Sequence, residues 1–257
     1  MAEWGKMGRW RHQAAAVGFV SVAFLVAACG GEPPRRDPAG QPGLLIGTVR
    51  LAGSELPTPT TIANTTDPEA CGPEHSLEEL VVDAATRGVS NVFAVLRRVA
   101  GDADGTAAAV DAPSPTTLLL DNVGCRFVPR AAIVPTGTQL ETTNSDEVLH
   151  TVHFYGPVEF NLALPLRGVR VSRQLDRPGL YAVRCDVHGW MQALIRVVDD
   201  AYFAISNEAG RFEIESIAPG SYVLEVWHER LGTRTVDVEV GTRSAVEVSV
   251  DYDSENR

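Results

Sequence analysis

Four side chains with soft or borderline donor atoms lie close enough along the chain to share one ion. Cys185, His188 and Met191 fall within the run Cys185-Asp186-Val187-His188-Gly189-Trp190-Met191, and His150 lies 35 residues before the cysteine. One thiolate, two imidazoles and one thioether suit copper, and a long, weak axial methionine bond is typical of electron-transfer copper sites. Zinc can also take Cys and His, but structural zinc sites usually collect them without a thioether. A nucleophilic role for Cys185 would want an orienting carboxylate or amide at a recognisable position and would leave Met191 without a use. The remaining alternative is an inert buried thiol.

To bring these donors together the chain needs two adjacent β-elements. GLYAVRC (179–185) reads as a strand running into a tight loop that carries three donors, and LHTVHFYG (149–156) as a neighbouring strand that supplies the fourth. Gly189 is expected to let the loop pass close to the ion. His153, three residues after His150, falls on the opposite face of its strand and reads as a surface or packed histidine. Trp190 would shield the metal or present an apolar docking surface, and a solvent-exposed His188 imidazole is the expected electron exit. His228, in Trp227-His228-Glu229, reads as a hydrogen-bonded contact between domains rather than a second metal site. His75 and His12 add nothing to the site.

The rest of the chain is predicted to be all-β. Val, Thr, Ile, Phe and Tyr recur at strand spacing, and no window has the periodicity of a multi-turn amphipathic helix. Strands are expected over 44–53, 77–85, 90–99, 116–124, 130–137, 138–145, 168–175 and 193–200, although SLEELVVDAA could open with a short helical turn. Residues 101–115 read as a surface loop. Asn207-Glu208-Ala209-Gly210 and Pro219-Gly220 are hairpin signals, flanked by Phe212 and Ile214 alternating with Glu213 and Glu215, then by alternating Tyr222, Leu224 and Val226. Regularly spaced short strands of this kind build sandwiches or barrels.

The first 28 residues read as an export signal. Lys6, Arg9, Arg11 and His12 precede an apolar run, Ala14 to Ala28, that is too short to span a bilayer comfortably. It ends in Val26-Ala27-Ala28-Cys29-Gly30, which resembles the lipobox of bacterial lipoproteins. That resemblance implies cleavage before Cys29, acylation of its thiol and attachment at the periplasmic face of a membrane, the outer one if the cell is Gram-negative. Residues 29–43 form a Pro/Gly-rich tether. The whole chain carries a net charge of −11, and losing the basic leader makes it more acidic still. Such a surface excludes non-specific nucleic-acid binding and suits solubility or a basic soluble partner. With Cys29 assigned to lipid, the economical reading of the other cysteines outside the cytoplasm is a Cys71–Cys125 disulfide and a metal-held Cys185. Spacing alone does not fix that pairing.

Asn144-Ser145-Asp146 leading to His150, Pro178-Gly179-Leu180-Tyr181 opening the last long strand, and the Cys185–Met191 loop together resemble the cupredoxin (plastocyanin/azurin) family over about residues 120–198. The resemblance implies an eight-stranded Greek-key sandwich that shuttles one electron. In it His150 is the first histidine ligand, Cys185 the thiolate, His188 the second histidine and Met191 the axial ligand. The gap from His188 to Met191 is shorter than in plastocyanin and resembles the two-copper centre of respiratory oxidases; the loop lacks the second cysteine such a centre needs. The short loop leaves a blue or a green site open. Ser206 to Phe212 and Pro219 to Tyr222 resemble the carboxypeptidase regulatory-like module, a small antiparallel sandwich whose usual opening G-x-V strand is best matched far upstream, by Gly47-Thr48-Val49. The expected layout is a signal peptide (1–28), a tether (29–43), an N-terminal β region (44–114), a copper domain (115–198) and a regulatory-like β domain (199–257). Part of 44–114 would either stand alone or complete the last sandwich. The implied function is electron transfer by one copper ion, without catalysis and with a redox partner such as a basic cytochrome c. Copper storage or delivery, or a scaffolding role in the envelope, are the alternatives.

Overall fold

The computed structural model describes residues 41–99 and 113–253; the leader, the lipobox with Cys29, most of the tether and most of the expected 101–115 loop lie outside them. In chain order the first strands are β1 (Gly43–Leu51), β2 (Thr60–Ala63), β3 (Glu74–Leu77) and β4 (Phe93–Arg98), with a short helix α1 (Pro68–Cys71) between β2 and β3. Next come β5 (Thr117–Asn122), β6 (Phe127–Val128), β7 (Ala131–Pro135), β8 (Thr138–Asn144), β9 (His150–Tyr155), β10 (Phe160–Leu164), β11 (Arg170–Leu175), β12 (Gly179–Arg184) and β13 (Gln192–Val198). The last strands are β14 (Tyr202–Ile205), β15 (Arg211–Ile217), β16 (Gly220–His228), β17 (Gly232–Val240) and β18 (Ala245–Tyr252).

Two sandwiches result. One packs sheet β10-β9-β12-β13-β7 against sheet β11-β8-β5-β6, and the other packs β15-β1-β18 against β14-β4-β16-β17. Each has its own core. Leu120, Leu140, Phe154, Tyr181, Val183 and Ile195 fill the first, and Leu45, Val49, Leu96, Ile214, Leu224 and Tyr252 fill the second. The strands form because their apolar residues alternate: β16 buries Tyr222, Leu224, Val226 and His228 while the residues between them are partly exposed.

The second sandwich is built from both ends of the described chain. β1 runs parallel to β18 and antiparallel to β15, while β4 lies between β14 and β16. Gly47 of the G-x-V stretch stands opposite Phe212, and the Phe212 ring fills the space that a Cβ at position 47 would need. Both sandwiches also carry the same corner. The Tyr181 hydroxyl donates to the Arg177 carbonyl at 3.0 Å, and the Tyr222 hydroxyl to the Ala218 carbonyl at 2.7 Å, each just after a Pro-Gly pair.

Three local expectations change. Residues 77–85 form no strand beyond the end of β3; they bend, with an isolated bridge from Val82 to Val89. Leu80 and Val82 there pack as partly buried loop residues against the second core, while Val81 is exposed. The Asn207–Gly210 and Pro219–Gly220 turns reverse the chain but pass it from one sheet to the other instead of closing ladder hairpins, because β15 pairs with β1, not with β14 or β16. β2, β3, β6 and β10 are additional strands: β2 pairs with β3, β6 with β5 and β10 with β9.

Candidate metal centre

The register of β9 and β12 decides which side chains reach the centre. Along β9, His150, Val152 and Phe154 point into the core, while Thr151 and His153 face outward. Along β12 the inward positions are Tyr181 and Val183, and the next residue of that parity is Cys185, also buried. β9 and β12 are direct neighbours, pairing Val183 with Phe154 and Arg184 with His153. His150 and Cys185 therefore meet at one end of the sandwich. The loop then closes on itself through Cys185 N to Met191 O (3.3 Å) and Met191 N to His188 O (2.9 Å), which turns His188 and Met191 back toward the cysteine.

Both imidazoles are fully buried, and Cys185 and Met191 nearly so. The Cys185 Sγ lies 3.9 Å from His150 Nδ1 and 3.7 Å from His188 Nδ1, and the two Nδ1 atoms are 3.0 Å apart. Each outer nitrogen has a carboxylate: His150 Nε2 donates to Asp146 Oδ2 at 3.0 Å, and His188 Nε2 to Asp67 Oδ2 at 3.1 Å. Carboxylate acceptors fix the tautomer with the proton on Nε2, which leaves both Nδ1 lone pairs aimed at the same point. Two lone pairs at that separation repel unless a cation or a proton lies between them. Burial, then the neighbouring His188, holds the His150 imidazole below its ordinary pKa and keeps its lone pair free. The thiol sulfur accepts from Thr151 N at 3.4 Å and more weakly from Thr151 Oγ1 at 3.8 Å, partners suited to a thiolate.

The donor set therefore fits copper. His150, Cys185 and His188 form a buried cluster, with Met191 in the same core beside Cys185, and this geometry is consistent with a mononuclear type 1 copper site. Copper bound there would supply a one-electron couple.

The shell around the donors is built by loops. Asn144, buried at the end of β8, donates to the carbonyls of Val148 and Leu164 and accepts from Asp146 N, which shapes the turn into His150. Asp146 also accepts from Gly124 N at 2.7 Å and Cys125 N at 2.8 Å. A disulfide joins Cys71 to Cys125, so the grouping of Cys125 with Asp146 and His150 offers no free thiolate for a second ion. His153 faces out and bonds Asp186 at 3.0 Å, which raises its pKa. His228 is buried and accepts from Arg230 N, while its neighbour Glu229 pairs with Arg130 of the first sandwich.

Two expectations about the loop are corrected. His188 is not an exposed electron exit; α1 and its flanks cover it, with Asp67 bonded to Nε2 and Cys71 Sγ 3.7 Å from the same atom. Gly189 is not needed for close approach, since a Cβ there would meet open space. Trp190 acts as a shield: its Nε1 donates to Cys125 O at 3.0 Å and its ring stacks on His75 at 4.2 Å. Sequence reasoning missed Asp67 and the part played by His75, because neither shares a spacing pattern with the ligand loop.

The sheet order, and the donors converging ahead of β13, the last strand of the first sandwich, give that sandwich a cupredoxin-like fold. No family model matches the chain, and no curated protein matches it. Among solved structures it is similar to the Cu-containing nitrite reductase from Thermus scotoductus SA-01, at 28% identity and TM-score 0.30, over 38% of this chain and 25% of that one. It is also similar to a purple cupredoxin from Nitrosopumilus maritimus, at 23% identity and TM-score 0.28, over 31% of this chain and 98% of that one. A Cu(I) form of an amicyanin variant is similar at 18% identity and TM-score 0.28, over 34% of this chain and 97% of that one. The chain thus spans a quarter of the length of the nitrite reductase.

Proposed function

We propose that this protein is a copper-dependent electron carrier rather than a catalyst, with His150, Cys185 and His188 as equatorial ligands and Met191 as the axial one. The observation that carries this reading is the pair of Nδ1 atoms 3.0 Å apart, both outer nitrogens committed to carboxylates and the Cys185 sulfur within 4 Å of each. A buried, pre-arranged donor set limits rearrangement between two oxidation states, which is what fast electron exchange requires.

In this reading residues 115–198 are the copper domain, and β14 to β18 with β1 and β4 make the regulatory-like sandwich. The lipobox-like Val26–Gly30 tethers the protein by Cys29 to the periplasmic face of a membrane. An acidic chain of net charge −11 fits a basic redox partner of the cytochrome c class. The test is voltammetry of the copper-loaded protein: a reversible one-electron wave supports the assignment, and its absence in a protein that binds copper refutes electron transfer.

Copper storage or delivery is the second reading, favoured by the cover over His188, which shuts the expected exit. Rapid copper exchange with an acceptor and a poor redox wave would select it.

A further inference from the structure

The segment that buries His188 has almost no core of its own. From Ala52 to Leu80 the buried residues are Asn64 and His75, and α1 buries none. Asn64 shapes the segment from within: its side-chain Nδ2 donates to Gly72 O at 2.6 Å and its backbone N–H to Pro73 O. What fastens the segment to the copper domain is the Cys71–Cys125 disulfide, the His75–Trp190 stack and the Asp67–His188 bond. Exposed pairs at its edge, Glu78–Arg126 and Glu79–Arg230, contribute little in water. The disulfide is the strongest of these fastenings, and it ends on the loop that also holds Asp146 and Trp190.

We propose that residues 60–77 are a cover latched by the Cys71–Cys125 disulfide, and that exchange with a dithiol reductant opens it and frees His188 for copper loading or removal. This rests on the copper reading above. Cys71 is partly exposed whereas Cys125 is buried, so a thiolate of the reductant attacks at Cys71, forming a mixed disulfide as Cys125 leaves and takes up a proton. The reductant's second thiol then displaces Cys71, which is protonated in turn. The dithiol loses two electrons and becomes a disulfide; the protein gains two thiols. With the latch cut, weak contacts alone hold the cover, and its local opening takes Asp67 away from His188 Nε2.

The experiment compares wild type with the Cys71→Ala/Cys125→Ala double variant. Cu(I)-loaded protein is mixed with excess chromogenic Cu(I) chelator, and release is expected to accelerate by roughly tenfold or more in the variant. In parallel, hydrogen exchange on both apo proteins should show residues 60–77 losing protection while 151–155 and 181–184 keep theirs. Release within about twofold of wild type, or protection lost equally across the sandwich, overturns the latch. Wild type that binds no copper sinks the copper reading instead, and apo exchange still judges the cover.

Discussion

Asp146 ties together three parts of the site, and removing its carboxylate should be felt in both stability and metal binding. It accepts from Gly124 N, Cys125 N and His150 Nε2. The Gly124 bond lies at the surface, where water can replace the carboxylate at little cost. The partly buried Cys125 amide loses a bond to a charged acceptor, worth about 1.5–3 kcal/mol, and the buried His150 N–H is left without an acceptor, at about 1–3 kcal/mol. Taking the lower half of each range, Asp146→Ala should destabilise the apo protein by about 3 kcal/mol. His150 also loses the partner that holds its Nδ1 lone pair inward, so copper affinity should fall by about 10–100-fold. Asp146→Asn, which keeps an acceptor oxygen, should recover most of the stability. Urea denaturation of the apo proteins and competition with a chelator of known affinity measure the two effects. An alanine variant within about 0.5 kcal/mol of wild type and with unchanged copper affinity would refute the assignment of Asp146 as a positioning residue.

Burial, ahead of the Arg130 and Arg230 charges, holds His228 down to about 4 from an ordinary 6.5. The unfolded chain takes up a proton that the folded chain refuses, so this contribution is complete above pH 6.5 and is lost as the pH falls toward 4, by roughly 3 kcal/mol. Glu229, whose pKa burial raises, titrates in the opposite sense, so the check is the difference in pH slope between wild type and His228→Gln; equal slopes would contradict it. Gly47→Ala drives a methyl into the Phe212 ring and should cost about 1–3 kcal/mol in denaturation, with part regained when Phe212→Leu is added.

The ligand loop was legible because strand parity is local: once Tyr181 and Val183 face inward, so does Cys185, and the same counting separates His150 from His153. The alternation of β15 and β16 was readable for the same reason. Turn residues such as Asn207 and Gly210 mark where the chain reverses but not which sheet receives the next strand; that depends on β1, far upstream. β10 escaped notice because its short run follows the Pro157 turn and is only partly buried. The expected Cys71–Cys125 bridge tied the cover to the copper domain, but its place over His188 was beyond reach, since Asp67 and His188 are 121 residues apart and share no pattern.

The most direct test of the central claim is a spectroscopic titration of the apo protein with Cu(II). The donor geometry predicts an intense visible thiolate-to-copper band that rises linearly and stops at a single equivalent, and that is lost in Cys185→Ser. Copper uptake without that band, or a band that survives in Cys185→Ser, would contradict it.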